Sequence, residues 1–359
     1  MKFPPSIKNF KTFCIIQTAF LGDVALTMPL ANEIKKLNPD SKILFLTTPA
    51  AAELANCSKS VDETIVYDKR REHKGIGGLN YVSTVLMEKK VDCILAPHRS
   101  FRTSLLTLFT NPSYSIGYDI NSLSFIYSKK IIYYKHLHEL QRIFALLQGF
   151  DECKSIFPNK KYEKAFFYEN LGKDDLKFSQ HDINFIEDFL SLKQNKNNSI
   201  LIAPGSVWQT KRWTSQHIIE LCLKIKSAGF NAVLIGGEED KELCESIKNQ
   251  TEVQNLAGIA TIPQILYLMT KSKLTITNDS APTHFAGLAG CPTITIFGAT
   301  SPMFGFAPWG QNDVIMELKD LACKPCSIHG SKTCPAGHFK CMNLLMPEMA
   351  FEAAMSILK

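Results

Sequence analysis

The residues best placed to do chemistry sit in three short stretches. The first, TITNDSAPTHFAGLAGCPTITIFG, runs from Thr275 to Gly298 as two apolar β-runs around a corner carrying Asp279, Ser280, Pro282 and His284. Ser280 can cap a helix beginning near Ala281, and Pro282 suits the first turn of that helix. The amides of Ser280 to Thr283 would then point at a bound anion. Asp279 either orients the loop or accepts a donor from the ligand. His284 is either a packed, hydrogen-bonded histidine or a phosphate contact. Ala286, Gly287, Ala289 and Gly290 are small enough to let the helix lie close on its sheet.

The second stretch, APGSVWQTKRWTSQH, brings Ser206, Lys211 and Arg212 from the end of a strand at Ala203-Pro204 to the start of a helix. A solvated basic loop is one reading. The other is a phosphate site, because two cations at a helix N-terminus oppose the helix dipole unless an anion sits there. The third, QTAFLGDVALTMP, has Gly22 permitting a tight turn and Asp23 at a helix start. Asp23 reads either as an N-cap or as a general base.

What is missing narrows the chemistry. No G-x-G-x-x-G follows a strand and there is no P-loop, which disfavours a dinucleotide oxidoreductase and a P-loop NTPase. No Asp-x-Asp occurs, so carboxylates that would hold Mg²⁺ on a leaving diphosphate are not evident. Near the end, CKPCSIHGSKTCPAGHFKC places Cys323, Cys326, Cys334 and Cys341 around His329 and His338. The C-x₂-C pair suits structural Zn²⁺, the C-x₆-C spacing that follows is wide for it, and reduced thiols or an occasional disulfide are the alternatives.

Those stretches need a scaffold. The 359 residues suit two domains rather than one α/β core. Apolar residues make up 45% and charged residues 21%, the profile of a soluble globular chain. Lys+Arg exceed Asp+Glu by 40 to 34, a formal +6 that suits an anionic ligand or lipid surface but lacks the dense basic runs of a nucleic-acid binder. The start, MKFPPSIKNFKTFCIIQTAFLGD, resembles a secretory signal only superficially, since Gln17 and Thr18 interrupt a short apolar run that reads better as a buried first strand. No run approaches the ~20 apolar residues that span a bilayer. The eleven cysteines then read as cytosolic thiols, and the chain as cytoplasmic.

Strand and helix patterns alternate twice. TFCIIQTA, SKILFLTT, ETIVYD and VDCILAP read as strands between the helices DVALTMPLANEIKKL and NYVSTVLMEKK, and HLHELQRIFALLQGF reads as one long helix ending at Gly149. The pattern weakens over about 151–199, taken as the joining region, with one helix near HDINFIEDFLSLK. It resumes with the strands SILIAPG, NAVLIGG, KLTITN and PTITIFG between helices, the first capped by Thr214 and ended by Gly229. Such alternation predicts parallel, doubly wound α/β sheets in two domains, 1–170 and 171–359, with a cleft between them and ligands at the carboxyl ends of strands.

Taken together, GDVALTMP, PHRSFRTS, KRW and NDSAPTHFAGLAGCPTITIFGATSP, in that order, resemble glycosyltransferase family 9, the ADP-heptose:lipopolysaccharide heptosyltransferases. The resemblance runs over most of the chain, and its last stretch is the most specific. It implies a GT-B fold of two facing Rossmann-like domains, the first binding acceptor and the second ADP-sugar. It also implies inverting, metal-independent transfer of heptose from ADP-L-glycero-D-manno-heptose to the lipopolysaccharide inner core, without a cofactor. By motif, Asp23 matches the family's base and Lys211 the lysine on the diphosphate. Gly22, Ser206, Arg212, Asp279, Ser280, Ala281 and His284 fall in the donor-binding turns, and Glu238 of LIGGEED falls where the family contacts the ribose. Arg99 and Arg102 lie on the acceptor side, where they could meet phosphate or carboxylate, or else be a solvated loop. An anionic, membrane-embedded acceptor also implies peripheral contact of the first domain with the inner membrane. The alternatives are a same-family transferase with another nucleotide-sugar or acceptor, a silent sugar-nucleotide-binding protein, or an epimerase or hydrolase of the same fold.

Overall fold

The structure is a computed structural model that describes residues 4–153, 173–191 and 198–359. Residues 154–172 and 192–197, most of the expected joining region, lie outside the described residues. The chain divides into two compact units, Met1–Glu163 with Asp175–Lys177, and Lys164–Asp174 with Phe178–Lys359. Asp175–Lys177 lies beyond the expected boundary at 170 yet belongs to the first unit, for a local reason. The Asp175 carboxylate accepts from the hydroxyls of Ser58 and Ser60, each at 2.5 Å, and the Lys59 amide donates to the Asp175 carbonyl at 2.7 Å.

In the first unit the elements run β1 (Thr12–Ile16), α1 (Leu21–Leu37), β2 (Lys42–Thr47), α2 (Pro49–Asn56), β3 (Glu63–Val66), α3 (Gly75–Glu88), β4 (Cys93–Ala96), α4 (Phe101–Thr110), β5 (Tyr114–Tyr118), β6 (Lys129–Ile131) and α5 (Glu139–Ala145). These six strands pair in parallel, in the order β3-β2-β1-β4-β5-β6. The second unit runs α6 (Gln180–Ser191), β7 (Ser199–Ala203), α7 (Ser215–Ser227), β8 (Asn231–Leu234), α8 (Lys241–Thr251), β9 (Gln254–Asn255), α9 (Ile262–Lys271), β10 (Leu274–Asn278), α10 (Ala281–Ala289), β11 (Thr293–Phe297), β12 (Val314–Glu317), α11 (Lys340–Asn343) and α12 (Pro347–Leu358). Its sheet is also parallel, in the order β12-β11-β10-β7-β8-β9.

The two orders are one pattern used twice. In each unit the first strand pairs with the fourth, so the chain reverses its direction of winding between them, β1 beside β4 and β7 beside β10. Loops leaving the carboxyl ends of those four strands are therefore neighbours within their unit, which is where ligands bind in such sheets. The central strands are apolar and buried on both faces, as parallel strands covered by helices must be.

Three local readings change. The stretch HRSFRTS is loop only as far as Ser100, which keeps Arg99 in the connection: Ser100 accepts the Thr103 amide at 3.2 Å and starts α4 at Phe101, which puts Arg102 in a helix. The long helix expected to run to Gly149 is α5 followed by a 3₁₀ turn, Leu146–Gly149. Gly149 ends that turn through packing rather than through a left-handed cap, since a Cβ there would lie 2.5 Å from Ile116 Cδ1. Gly22 does not form a tight turn, because it lies inside the first turn of α1 and is absent from the positive-φ glycines.

Candidate active site

In the first unit the site is built on the connection from β1 to α1. Phe20, not Asp23, takes the N-cap position, and Asp23 sits three residues in, where its Oδ2 accepts the Phe20 amide at 3.2 Å. The Asp23 carboxyl is pushed up from 3.8 to about 6. Burial is the main cause and the Glu139 carboxylate the next; the Phe20 amide and the Arg99 guanidinium pull the other way. Glu139 comes from the first turn of α5, buried, and its Oε2 takes the Arg142 guanidinium at 2.6 Å. Two guanidinium groups lie over the Tyr133 ring, Arg99 4.3 Å and Arg142 5.0 Å from its centroid. Arg99 is thus brought into the electrostatic surroundings of Asp23. Arg102 is turned to another partner, its Nη1 donating to the Lys69 carbonyl at 3.4 Å.

In the second unit the loops after β7 and β10 meet. Lys211 Nζ lies 2.7 Å from Asp279 Oδ2 and donates to the Asp279 carbonyl at 3.1 Å. Thr300, beyond β11, donates to the same Oδ2 at 2.6 Å. Arg212 closes its own loop, with Nε donating to the Ser206 carbonyl at 2.7 Å. Buried Asn278 binds the loops together, accepting from the Trp213 amide at 3.0 Å and donating to the Pro204 carbonyl at 2.8 Å. The cations of KRW are therefore held in place by protein partners before any ligand arrives.

Ser280 does occupy the N-cap position of α10, but its hydroxyl makes no cap; it donates to the Asn278 carbonyl at 3.3 Å. Pro282 has no amide and the Thr283 amide turns back to the Ser280 carbonyl at 3.1 Å, so the expected amide set narrows to Ser280 and Ala281. His284 is buried in the first turn of α10, 6.5 Å ring to ring from Phe306, which fits its packed reading. Glu238 stands exposed beyond β8, 3.4 Å from Lys241.

The cysteine-rich segment packs onto the Lys211 loop. Thr210 donates its amide to the Ser331 carbonyl at 3.1 Å and accepts the Ser331 amide at 2.8 Å, while the Cys326 amide donates to the Ala299 carbonyl at 2.8 Å. Cys323, Cys326, Cys334 and Cys341 are free thiols, and Cys323 Sγ is 3.8 Å from His338 Nε2. Among the described residues no group of three or more His, Cys, Asp or Glu side chains is placed to hold a metal ion, so the zinc reading of this cluster is not supported. No helix among them is long and apolar enough to cross a membrane.

Glu139, Tyr133, Asn278 and Thr300 are the site residues that sequence reasoning missed. The only local signal was for Thr300, inside the quoted GATSP, and for Asn278, inside NDSAP.

A doubly wound pair of units with a raised carboxyl in one and a lysine-aspartate corner in the other matches known proteins closely in fold. The chain belongs to glycosyltransferase family 9 (heptosyltransferase), whose family model matches residues 82–339. Lipooligosaccharide heptosyltransferase 2 of Campylobacter jejuni subsp. jejuni serotype O:2 is 27% identical over 259 residues, 65% of this chain and 80% of that protein. The family 9 glycosyl transferase of Veillonella parvula superposes with a TM-score of 0.82 at 22% identity, covering 100% of this chain and 98% of that one. Escherichia coli ADP-heptose lps heptosyltransferase II gives 0.76 at 20%, covering 97% and 98%. The fold is accordingly GT-B-like, and the chain is a glycosyltransferase of the heptosyl-transferring family.

Proposed function

We propose that the protein transfers heptose, with inversion, from ADP-heptose to the inner core of a lipopolysaccharide. The observation that carries this is the state of Asp23, a carboxyl raised to about 6 and fixed by the Phe20 amide, so that it is ionised yet basic enough to take a proton near neutral pH. In this reading the acceptor hydroxyl attacks the anomeric carbon and gives its proton to Asp23. The bond from that carbon to the diphosphate oxygen breaks as positive charge builds on the sugar. The negative charge on departing ADP falls to Lys211 and to the Ser280 and Ala281 amides rather than to a metal ion. Gly22, Ser206, Arg212 and Glu238 complete the donor contacts, and Arg99 faces the anionic acceptor, which Arg102 reaches only by leaving the Lys69 carbonyl. The names of the relatives support donor and acceptor class, and the +6 balance supports peripheral contact with an anionic cytoplasmic membrane face.

The test is to incubate the chelator-treated protein with ADP-heptose and a panel of truncated cores, and to weigh the products. A core heavier by one heptose is expected. ADP release without acceptor marks a hydrolase instead, and transfer only from another nucleotide-sugar marks a same-family enzyme of different specificity.

A further inference from the structure

The winding reversal in the first unit sets the β4–α4 turn beside the β1–α1 connection, and a histidine there has no role in the reading above. His98 Nδ1 lies 3.0 Å from Thr18 Oγ1, 3.1 Å from Thr103 Oγ1 and 3.4 Å from Ser100 Oγ. Three hydroxyls, from the β1–α1 connection, the cap of α4 and its first turn, converge on one ring nitrogen. Thr18 is also held at its other end, where the Lys69 ammonium donates to its carbonyl at 2.7 Å.

The rest of the connection is tied as closely. Gln17 Nε2 donates to Thr27 Oγ1 at 3.1 Å, and Thr27 Oγ1 donates to the Asp23 carbonyl at 2.7 Å. The Ala19 amide donates to Gln17 Oε1 at 3.3 Å, and the Phe20 amide to the Asp23 carboxylate. A shift of Thr18 therefore moves Phe20, and a shift of Phe20 moves the carboxylate.

We propose that His98 is a positioning residue for the transfer reaction, a neutral imidazole whose Nδ1 accepts from Thr18 and so fixes the connection that holds Asp23. A neutral imidazole can accept at Nδ1 only with its proton on Nε2, and a protonated one could not accept at all. Burial, then Lys69 and Arg99, hold the His98 imidazole down at about 4, so it is neutral near pH 7. An aspartate or lysine at 98 could not substitute: the first would draw in Lys69 and Arg99, and the second has no acceptor.

This rests on the proposed transfer reaction, and two readouts keep the two ideas separate. In the first, His98→Ala lowers kcat by about 10- to 100-fold, the loss expected when a reacting group is misplaced by about 1 Å, with ADP affinity within about twofold of wild type. His98→Asn, which returns an acceptor to the Nδ1 position, recovers most of kcat. His98→Gln, whose polar end reaches the Nε2 position, does not. Thr18→Val, nearly isosteric, reproduces the His98→Ala loss, and the double variant is no worse than either single one. The second readout needs no turnover: amide hydrogen exchange over residues 17–23 rises in His98→Ala and Thr18→Val and returns to normal in His98→Asn. Wild-type kcat in His98→Ala, or exchange over 17–23 unchanged in both Thr18→Val and His98→Ala, overturns the assignment. A wild-type protein that transfers no heptose overturns the proposed function instead, and the exchange experiment still decides on His98.

Discussion

Two aspartates, each beside the winding reversal of its own sheet, have opposite surroundings. Asp23 is crowded by burial and by the Glu139 carboxylate, and it rises to about 6. Asp279 is clasped by the Lys211 ammonium at 2.7 Å and by the Thr300 hydroxyl at 2.6 Å. A carboxylate left short of partners is a base, and one saturated with donors is a brace. The same residue type, after the first strand of one sheet and the fourth of the other, is thus suited to proton transfer in one unit and to holding a cation in place in the other. The difference is made by what neighbouring strands bring alongside.

The largest effect expected is at Asp23. Asp23→Asn should lower kcat by about 10³-fold while ADP binds normally, because general-base catalysis contributes about 10²–10⁴. It should also stabilise the fold at high pH. A carboxyl raised in the folded state contributes stability that is complete below about 3.8 and is lost as the pH climbs through about 6. The asparagine avoids that loss, so denaturant titration at pH 8 should find the variant about 1–2 kcal/mol more stable, with no gain at pH 3.5. Equal stability at pH 8 would place Asp23 in an ordinary solvated environment and remove the contrast.

A middle-sized effect is expected from the other corner. Lys211→Met leaves the Asp279 carboxylate without its cation, and urea unfolding should show a loss of about 3 kcal/mol. ADP affinity should fall about 100-fold in the same variant. Adding Asp279→Asn should recover much of the stability and none of the affinity if, as the proposed reaction has it, the lysine meets the diphosphate while Asp279 serves to hold it. Recovery of both would mean that Lys211 acts on the fold alone.

The smallest effect sharpens the origin of the Asp23 shift. Glu139→Gln removes a like charge and leaves Arg142 positive beside the site, and both changes favour ionised Asp23. The acid limb of the kcat/KM profile, expected near pH 6, should move down by about 0.5 pH unit. A limb that stays in place assigns the shift to burial alone; one that moves up contradicts the arrangement of charges.

Much of the scaffold was legible because its signals are local. Apolar strands alternating with amphipathic helices announced parallel, doubly wound sheets, and Thr214 and Gly229 marked the two ends of α7 as caps do. Gly149 was misleading because its smallness serves contact with Ile116, a strand far away, rather than a helix end. Asp23, Lys211 and Asp279 stood out as candidates because each follows closely on a strand, where such folds bind ligands. His98 was passed over inside PHRSFRTS because its partner Thr18 is 80 residues distant.

The order of residues along the chain was enough to determine the alternation of elements, the three chemical corners and the family to which they belong. It could not determine the state of any corner. Whether Asp23 caps a helix or sits inside its first turn, whether Lys211 stands free or is already paired, and whether four cysteines converge on a metal all depend on which strands become neighbours. Charge and hydrogen-bond energies fall off within a few ångströms, so they are set by distances in space. Those distances were decided by the reversal of winding that laid β4 beside β1 and β10 beside β7.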